Sequence, residues 1–205
     1  MNDFKERDFF HEGMRHFQDL FDGRRTAEAI EKNRKHYEFW DDEKDIIENS
    51  KFFFIASSWN GYIDCNIKSG DSGFVKIIGN NTIEYPEYDG NSMYRTAGNI
   101  SKNKNVGLLF INFDGKSRRI RINGSATIHH DKNTLKGHYG AKFVVRVKCE
   151  IYPNCPRYIP NFDTKAPSMY VPREGQEDPP APEWKNRDYI KNILPKDDPH
   201  KKQKT

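Results

Sequence analysis

The sequence predicts a mainly β (α+β) fold: six to seven antiparallel strands curled into a small barrel, with helices before it and an extended arm after it. Three observations carry this. Between Lys51 and Tyr152, short apolar runs alternate with Gly- and Asn-rich turns at close spacing, as in antiparallel hairpins. Before them, Phe9, Phe10, Met14, Phe17, Leu20 and Phe21 recur at three- and four-residue steps, the period of a helix with one apolar stripe. After Pro153 the chain turns to proline and charge. The expected divisions are a helical extension over 1–50, the barrel domain over 51–160 and a Pro/Lys-rich arm over 161–205.

The stripe makes residues 3–21 a helix that packs on the barrel or on a partner subunit. Asp22-Gly23 breaks it, Thr26 caps a second helix, and Asp41 or Asp42 caps a third that runs through Ile46-Ile47. The continuous apolar run Phe52–Ala56 reads as a buried strand. Asn60-Gly61 is a strong hairpin signal before a weakly alternating strand over 62–68. Ser69–Gly73 is a second turn, Phe74–Ile78 a strand, and Gly79-Asn80-Asn81 turns it into Thr82–Tyr85, giving a meander. After the loop Glu87–Asn91, Ser92 is expected to cap a helix from Met93 to Lys102. Strands follow over Val106–Phe113, Arg118–Ile128 and Lys142–Tyr152. A closed barrel would leave such a set no exposed edges. Trp184, Tyr189 and Ile190 are candidate anchors for the C-terminal arm, with the residues from Lys196 onward expected to be disordered.

Of the 205 residues, 35% are hydrophobic and 31% charged, with a net charge of +4. That mild excess suits an anionic small ligand as well as a nucleic acid. The three cysteines, Cys65, Cys149 and Cys155, form neither a disulfide framework nor a zinc spacing, and read as thiols in a reducing compartment. His129-His130 reads as a solvated strand end, and no metal site is expected. The first residues lack the apolar core of a signal peptide, and no run is long enough to span a membrane. A cytoplasmic protein with no membrane and no nucleic-acid partner is expected, although the basic strand face with Phe74, Tyr85 and Tyr94 keeps a single-stranded nucleic acid as an alternative.

Candidate anion donors gather around one loop. Ser92 opens a helix whose first amides favour an anion, and Arg95 lies one turn on. Lys76, Arg118, Arg119 and Arg121 sit on expected neighbouring strands. Arg119 and Arg121 share one strand face, and Ile120 and Ile122 share the other. From the residues alone, this is a binding site or a solvated basic face. Arg157, stiffened by Pro156 and Pro160 beside Tyr158, suits bidentate binding of phosphate or carboxylate; the alternative is a tight turn around a buried tyrosine.

The order of these segments over residues 50–152 resembles the pyridoxamine 5'-phosphate oxidase-like, FMN-binding split barrels. Phe74-Val75-Lys76-Ile77 resembles their strand that runs along the flavin. Tyr85-Pro86 matches their aromatic and small residue beside the cofactor, and Gly90-Asn91-Ser92 their phosphate loop. Val106–Phe110 resembles their strand after the helix, and Arg119 falls where many carry a polar flavin contact. The resemblance implies FMN held by Phe74, Val75, Lys76, Ile77, Tyr85, Pro86, Asn91, Ser92, Arg95, Arg119 and Arg157, in a homodimer with the cofactor at the subunit interface. It implies an oxidoreductase that moves electrons between a reduced nicotinamide, NAD(P)H, or a similar donor and a small organic acceptor or dioxygen. The alternative is a flavin-binding protein without turnover, and a deazaflavin or haem remains open beside FMN. No catalytic side chain is assigned, because the flavin ring carries the redox chemistry. The oxidases themselves have an Arg-Lys pair in the phosphate loop and a C-terminal Trp and Arg-x-His. Here Asn91-Ser92 and Asn154–Pro160 stand instead, which points to another branch than pyridoxamine-phosphate oxidase.

Overall fold

The computed structural model describes residues 8–88, 92–113, 118–152, 158–159, 177, 180–194, 196, 198 and 200–201. Three helices come first: α1 (Glu12–Leu20), α2 (Arg24–Arg34) and α3 (Asp41–Asn49). The strands are β1 (Phe52–Trp59), β2 (Tyr62–Ser69), β3 (Lys76–Gly79), β4 (Thr82–Glu87), β5 (Asn105–Ile111), β6 (Arg119–His129) and β7 (Phe143–Tyr152). Helix α4 (Arg95–Lys102) precedes β5, and α5 (Lys132–Leu135) lies between β6 and β7.

The helix boundaries are set by local chemistry that differs in detail from the sequence expectation. Helix α1 starts late, where His11 Nδ1 accepts from Gly13 N at 3.2 Å. Thr26 is not a cap: Gly23 holds that position, and the Thr26 hydroxyl donates to the Ile193 carbonyl at 2.6 Å, tying α2 to the C-terminal segment. For α3 the cap position is Trp40, whose N–H donates to Glu43 Oε2 at 3.1 Å. Helix α1 buries no residue, and Phe17, Leu20 and Phe21 of the apolar stripe are each at least 60% exposed. The stripe therefore does not pack on the barrel over that turn.

All seven strands form one antiparallel sheet in the order β2-β1-β5-β6-β7-β4-β3. Alternation places Phe53 and Ile55, Val106, Leu108 and Phe110, and Ile120 and Ile122 on one face, all in the core. The Phe53 ring stacks on Phe110 at 4.9 Å and meets Tyr85 edge-on at 5.0 Å. One expectation fails here. The strands do not run as one meander, because β2 and β3 lie at opposite edges of the sheet. The sheet is not closed by ladder hydrogen bonds, in keeping with the split barrel that the resemblance implies. Lys68 of β2 instead pairs with Glu87 of β4 at 2.5 Å across the split. The ladder of β3 begins at Lys76, so Phe74 and Val75 precede it as buried core residues. No described helix is long and apolar enough to cross a membrane.

Candidate cofactor site

The inner face of the β2 edge is polar, carrying Asp64, Asn66 and Lys68 opposite Ser57, Ile55 and Phe53 of β1. An edge strand with that face would leave buried polar groups unpaired; α4 supplies their partners. Thr96 Oγ1 donates to Asp64 Oδ2 at 3.2 Å and accepts from Asn66 Nδ2 at 3.4 Å. Asn99 Nδ2 donates to Ser57 Oγ at 3.1 Å, and Asn103 Nδ2 to the Ser58 carbonyl at 3.0 Å. Thr96 and Ile100 are buried beneath this seam. The helix thus fills the split, and its N-terminus is fixed in direction.

That N-terminus follows β4. Pro86 lies within β4, opposite Val144 of β7, whereas β3 pairs only with residues 82–84. Its missing N–H therefore falls where β4 has one neighbour, and costs no ladder bond. Ser92 and Tyr94 both take positive φ, 62° and 48°, which bends the chain sharply into Arg95. Ser92 is not the N-cap; Tyr94 is, and α4 begins at Arg95. Arg95 Nε pairs with Asp64 Oδ1 at 3.1 Å, yet the side chain is 58% exposed. The pair orients the guanidinium and leaves most of it at the surface. Tyr94 Oη accepts from Lys142 Nζ at 3.3 Å, and its ring lies 6.3 Å from Phe143 at the start of β7. One cationic patch, Arg95 with Lys142, thus gathers around the first turn of α4 and the end of β4.

The other sequence-predicted residues divide. Tyr85 is fully buried, and its hydroxyl finds no partner among the described residues; burial, with Glu87 nearby, pushes it well above the ordinary tyrosine range. Phe74 and Val75 are buried and Ile77 packs on the core, so any contact they make with a ligand goes through the main chain. Lys76 is committed to α5: its Nζ donates to the Gly137 carbonyl. Arg119 is set apart on β6, opposite Ile111 of β5. Tyr158 is 59% exposed, which overturns the alternative of a turn around a buried tyrosine. Asn91 and Arg157 lie outside the described residues.

Sequence reasoning missed a buried polar cluster on the outward face of β4. Glu84 Oε1 accepts from His138 Nε2 at 3.1 Å, and Oε2 from Arg146 Nε at 2.9 Å. Arg146 also reaches Thr134 Oγ1 at 3.4 Å, and Thr134 is held by the cap Asp131. Burial alone would raise the Glu84 carboxyl, but its bonds to His138 and Arg146 outweigh that and hold it below its ordinary value. The available signal was a glutamate between two core residues, Ile83 and Tyr85, which demands a buried partner. Among thiols, Cys149 is buried and pushed far up by desolvation, so it is no nucleophile. Among the described residues, no group of three or more His, Cys, Asp or Glu could hold a metal ion. A cavity of about 760 Å³ lies between the N-terminal helices and the sheet; Phe9, Phe10 and Met14 of the apolar stripe and Arg121 of the basic strand face line it.

A family model described as pyridoxamine 5'-phosphate oxidase matches residues 39–163. A search of curated proteins returns no match. Among solved structures, a candidate pyridoxamine 5'-phosphate oxidase of Lactobacillus delbrueckii is 16% identical, covers 58% of this chain and 99% of its own, and has a TM-score of 0.47. HupZ of Group A Streptococcus is 20% identical over 63% of this chain and 98% of its own, at a TM-score of 0.42. An FMN-binding protein of Syntrophomonas wolfei is 15% identical over 69% of this chain and 93% of its own, at a TM-score of 0.41. The matched segment begins in the turn before α3 and takes in all seven strands with the helix that fills the split, and on that match the chain belongs to the pyridoxamine 5'-phosphate oxidase family.

Proposed function

We propose that this protein binds a flavin, FMN, with its phosphate at the N-terminus of α4 and its ring toward the end of β4. The observation that carries the reading is Arg95, held by Asp64 at the first turn of α4 and 58% exposed. A guanidinium beside free helix amides is a donor set that fits a dianionic phosphate. Lys142, at Tyr94, adds a second cation to the same end. Membership of the family supports the cofactor class.

FMN, when bound, supplies hydride and electron transfer. The chain's own residues bind and orient. Arg95 and Lys142 hold the charged end, the exposed side of Tyr94 walls the ring, and main-chain groups from Phe74 to Ile77 and of Pro86, whose side chain is buried, meet its polar edge. Arg119, on another strand, reaches the cofactor only through a partner subunit in this reading. We accordingly propose a homodimer with the cofactor at the interface. Its support is the exposed apolar surface of the isolated chain: Ile63 is 75% and Ile67 51% exposed on the outward face of β2. The reaction proposed is electron transfer from NAD(P)H or a similar donor to a small organic acceptor or dioxygen, in the cytoplasm.

The test is absorbance of the purified protein, with mass spectrometry of whatever denaturation releases. Bands near ~375 and ~450 nm with the FMN mass support the reading. A colourless protein that takes up no added FMN overturns it. Reduction of the bound flavin by NADH or NADPH, followed by reoxidation by an acceptor, separates an enzyme from a flavin carrier.

A further inference from the structure

We propose that the cavity between the N-terminal helices and the outward face of the sheet is a separate binding site for a neutral, planar, largely apolar small molecule. It goes beyond the flavin reading, since none of the residues assigned to the cofactor lines it. Its volume of about 760 Å³ falls in the range of small-molecule sites.

The shape follows from the register. Ala56 of β1 stands opposite Gly107 of β5, Gly107 opposite Asn123 of β6, and Asn123 opposite Glu150 of β7. The row therefore begins flat and ends polar. Gly107 is not demanded by packing: a Cβ there would meet only the Ala56 Cβ, at 3.9 Å. The room left above it is the floor of the slot. Opposite this floor, Phe9 and Phe10 meet edge to face at 4.8 Å, and Phe9 lies 5.6 Å from Tyr152. Ile30 of α2 completes the apolar wall. A glycine-alanine floor under aromatic rings leaves a slot suited to a fused ring system.

The polar end selects a neutral ligand. Glu150 is 5% exposed, and its carboxylate is satisfied by Lys35 Nζ at 3.4 Å and Asn123 Nδ2 at 3.4 Å. Lys35 also lies 3.9 Å from Glu31 and 4.9 Å over the Phe9 ring. Arg121, 5.0 Å over the Tyr152 ring, is the second cation of the lining, so Lys35 and Arg121 face three carboxylates, Asp8, Glu31 and Glu150, and no cationic excess is left to hold an added phosphate or carboxylate. The amide of Asn123 remains as a hydrogen-bonding edge.

The test is a fluorescence titration of the whole chain with N-phenyl-1-naphthylamine, a neutral planar probe, with FMN uptake measured in parallel. Saturable binding at one site per chain is expected. Gly107→Leu and Ala56→Leu, which fill the floor, are expected to weaken it at least tenfold while FMN uptake is kept. Phe17→Ser, on the exposed turn of α1, is expected to leave both unchanged. Equal affinity in the floor variants, or loss of the probe in Phe17→Ser, overturns the proposal, because the dye then reads exposed surface. Joint loss of probe and FMN in the floor variants also overturns it, since the cavity is then the cofactor's own. Should Gly107→Leu lose its circular dichroism, Ala56→Leu decides. A wild-type chain that takes up no FMN defeats the flavin reading and leaves the probe result standing.

Discussion

Gly124 lies on β6 between β5 and β7, where the inner faces of three strands meet. A Cβ there would collide with Val147 Cγ1 and stand 3.1 Å from Val106 Cγ2, both on buried residues of neighbouring strands. Valine is stiff at χ1 and cannot swing aside, so the strands must part. Gly124→Ala is expected to lose about 1–3 kcal/mol by overpacking, read as a lower urea midpoint at unchanged slope. An unchanged midpoint would show that the sheet relaxes there at no cost. Arg95 presents the opposite case. Its pair with Asp64 is exposed enough to be screened and is worth about 0–1 kcal/mol. Arg95→Ala is therefore expected to shift the unfolding midpoint little. A charge-assisted bond to a phosphate is worth about 1.5–3 kcal/mol, so FMN affinity should fall about 10- to 100-fold. Equal FMN affinity in the variant would remove the phosphate from this end of α4.

At the scale of elements, α5 is held to the sheet by the Glu84–His138–Arg146 cluster and by Lys76 on the Gly137 carbonyl. Glu84 is depressed in the folded state, so its contribution to stability is fully present above the ordinary carboxylate range, starts to be lost within that range and is gone once the pH has fallen through the lower, folded value. Glu84→Gln does not titrate. Comparing urea midpoints at pH 7 and pH 4, the wild type is expected to lose more stability than Glu84→Gln, although the variant starts lower because Arg146 loses its charge partner. Equal slopes would mean that other carboxylates set the acid limb. The same cluster shows what was legible in the sequence. The hairpins β1–β2 and β3–β4 were, because Asn60-Gly61 and Asn80-Asn81 are local signals between apolar runs. Helix α5 was not: it has four residues and no apolar period, and only Asp131 with Thr134 hinted at a cap. For the proposed site, Arg95 and Pro86 could be named from the sequence because loop and helix start are contiguous. Asp64 and Lys142 were not, since β2 and β7 bring them from distant parts of the chain. The stripe Phe17–Leu20–Phe21 had the right period for a helix, but a period says nothing about which surface covers it.

On the scale of the whole molecule, two apolar surfaces are left uncovered among the described residues. One is the exposed turn of α1; the other is the outward face of β2, where Ile63 and Ile67 stand opposite Ser58 and Phe54 of β1. Strand β2 is also a sheet edge eight residues long, without ladder partners on its outer side among the described residues. Long edges with apolar faces are normally covered or charged. Nothing charged points outward from this face of β2, whose only ionisable group among Ile63, Cys65 and Ile67 is a thiol. A stable interface buries about 800 Å² per partner, and an apolar strand edge of this kind is a natural centre for one. Sedimentation equilibrium is expected to give twice the chain mass for the wild type. Ile63→Lys combined with Ile67→Lys places like charges face to face across such an interface and should yield a monomer. Both side chains point away from the core, so the monomer should still unfold in one transition. If the cofactor spans two subunits, this monomer should also lose FMN, even though Arg95 and Lys142 are untouched. A monomer that keeps FMN would confine the cofactor to one chain, and would leave Arg119 with a structural role on β6. A dimer that survives both lysines would move the interface to the exposed turn of α1.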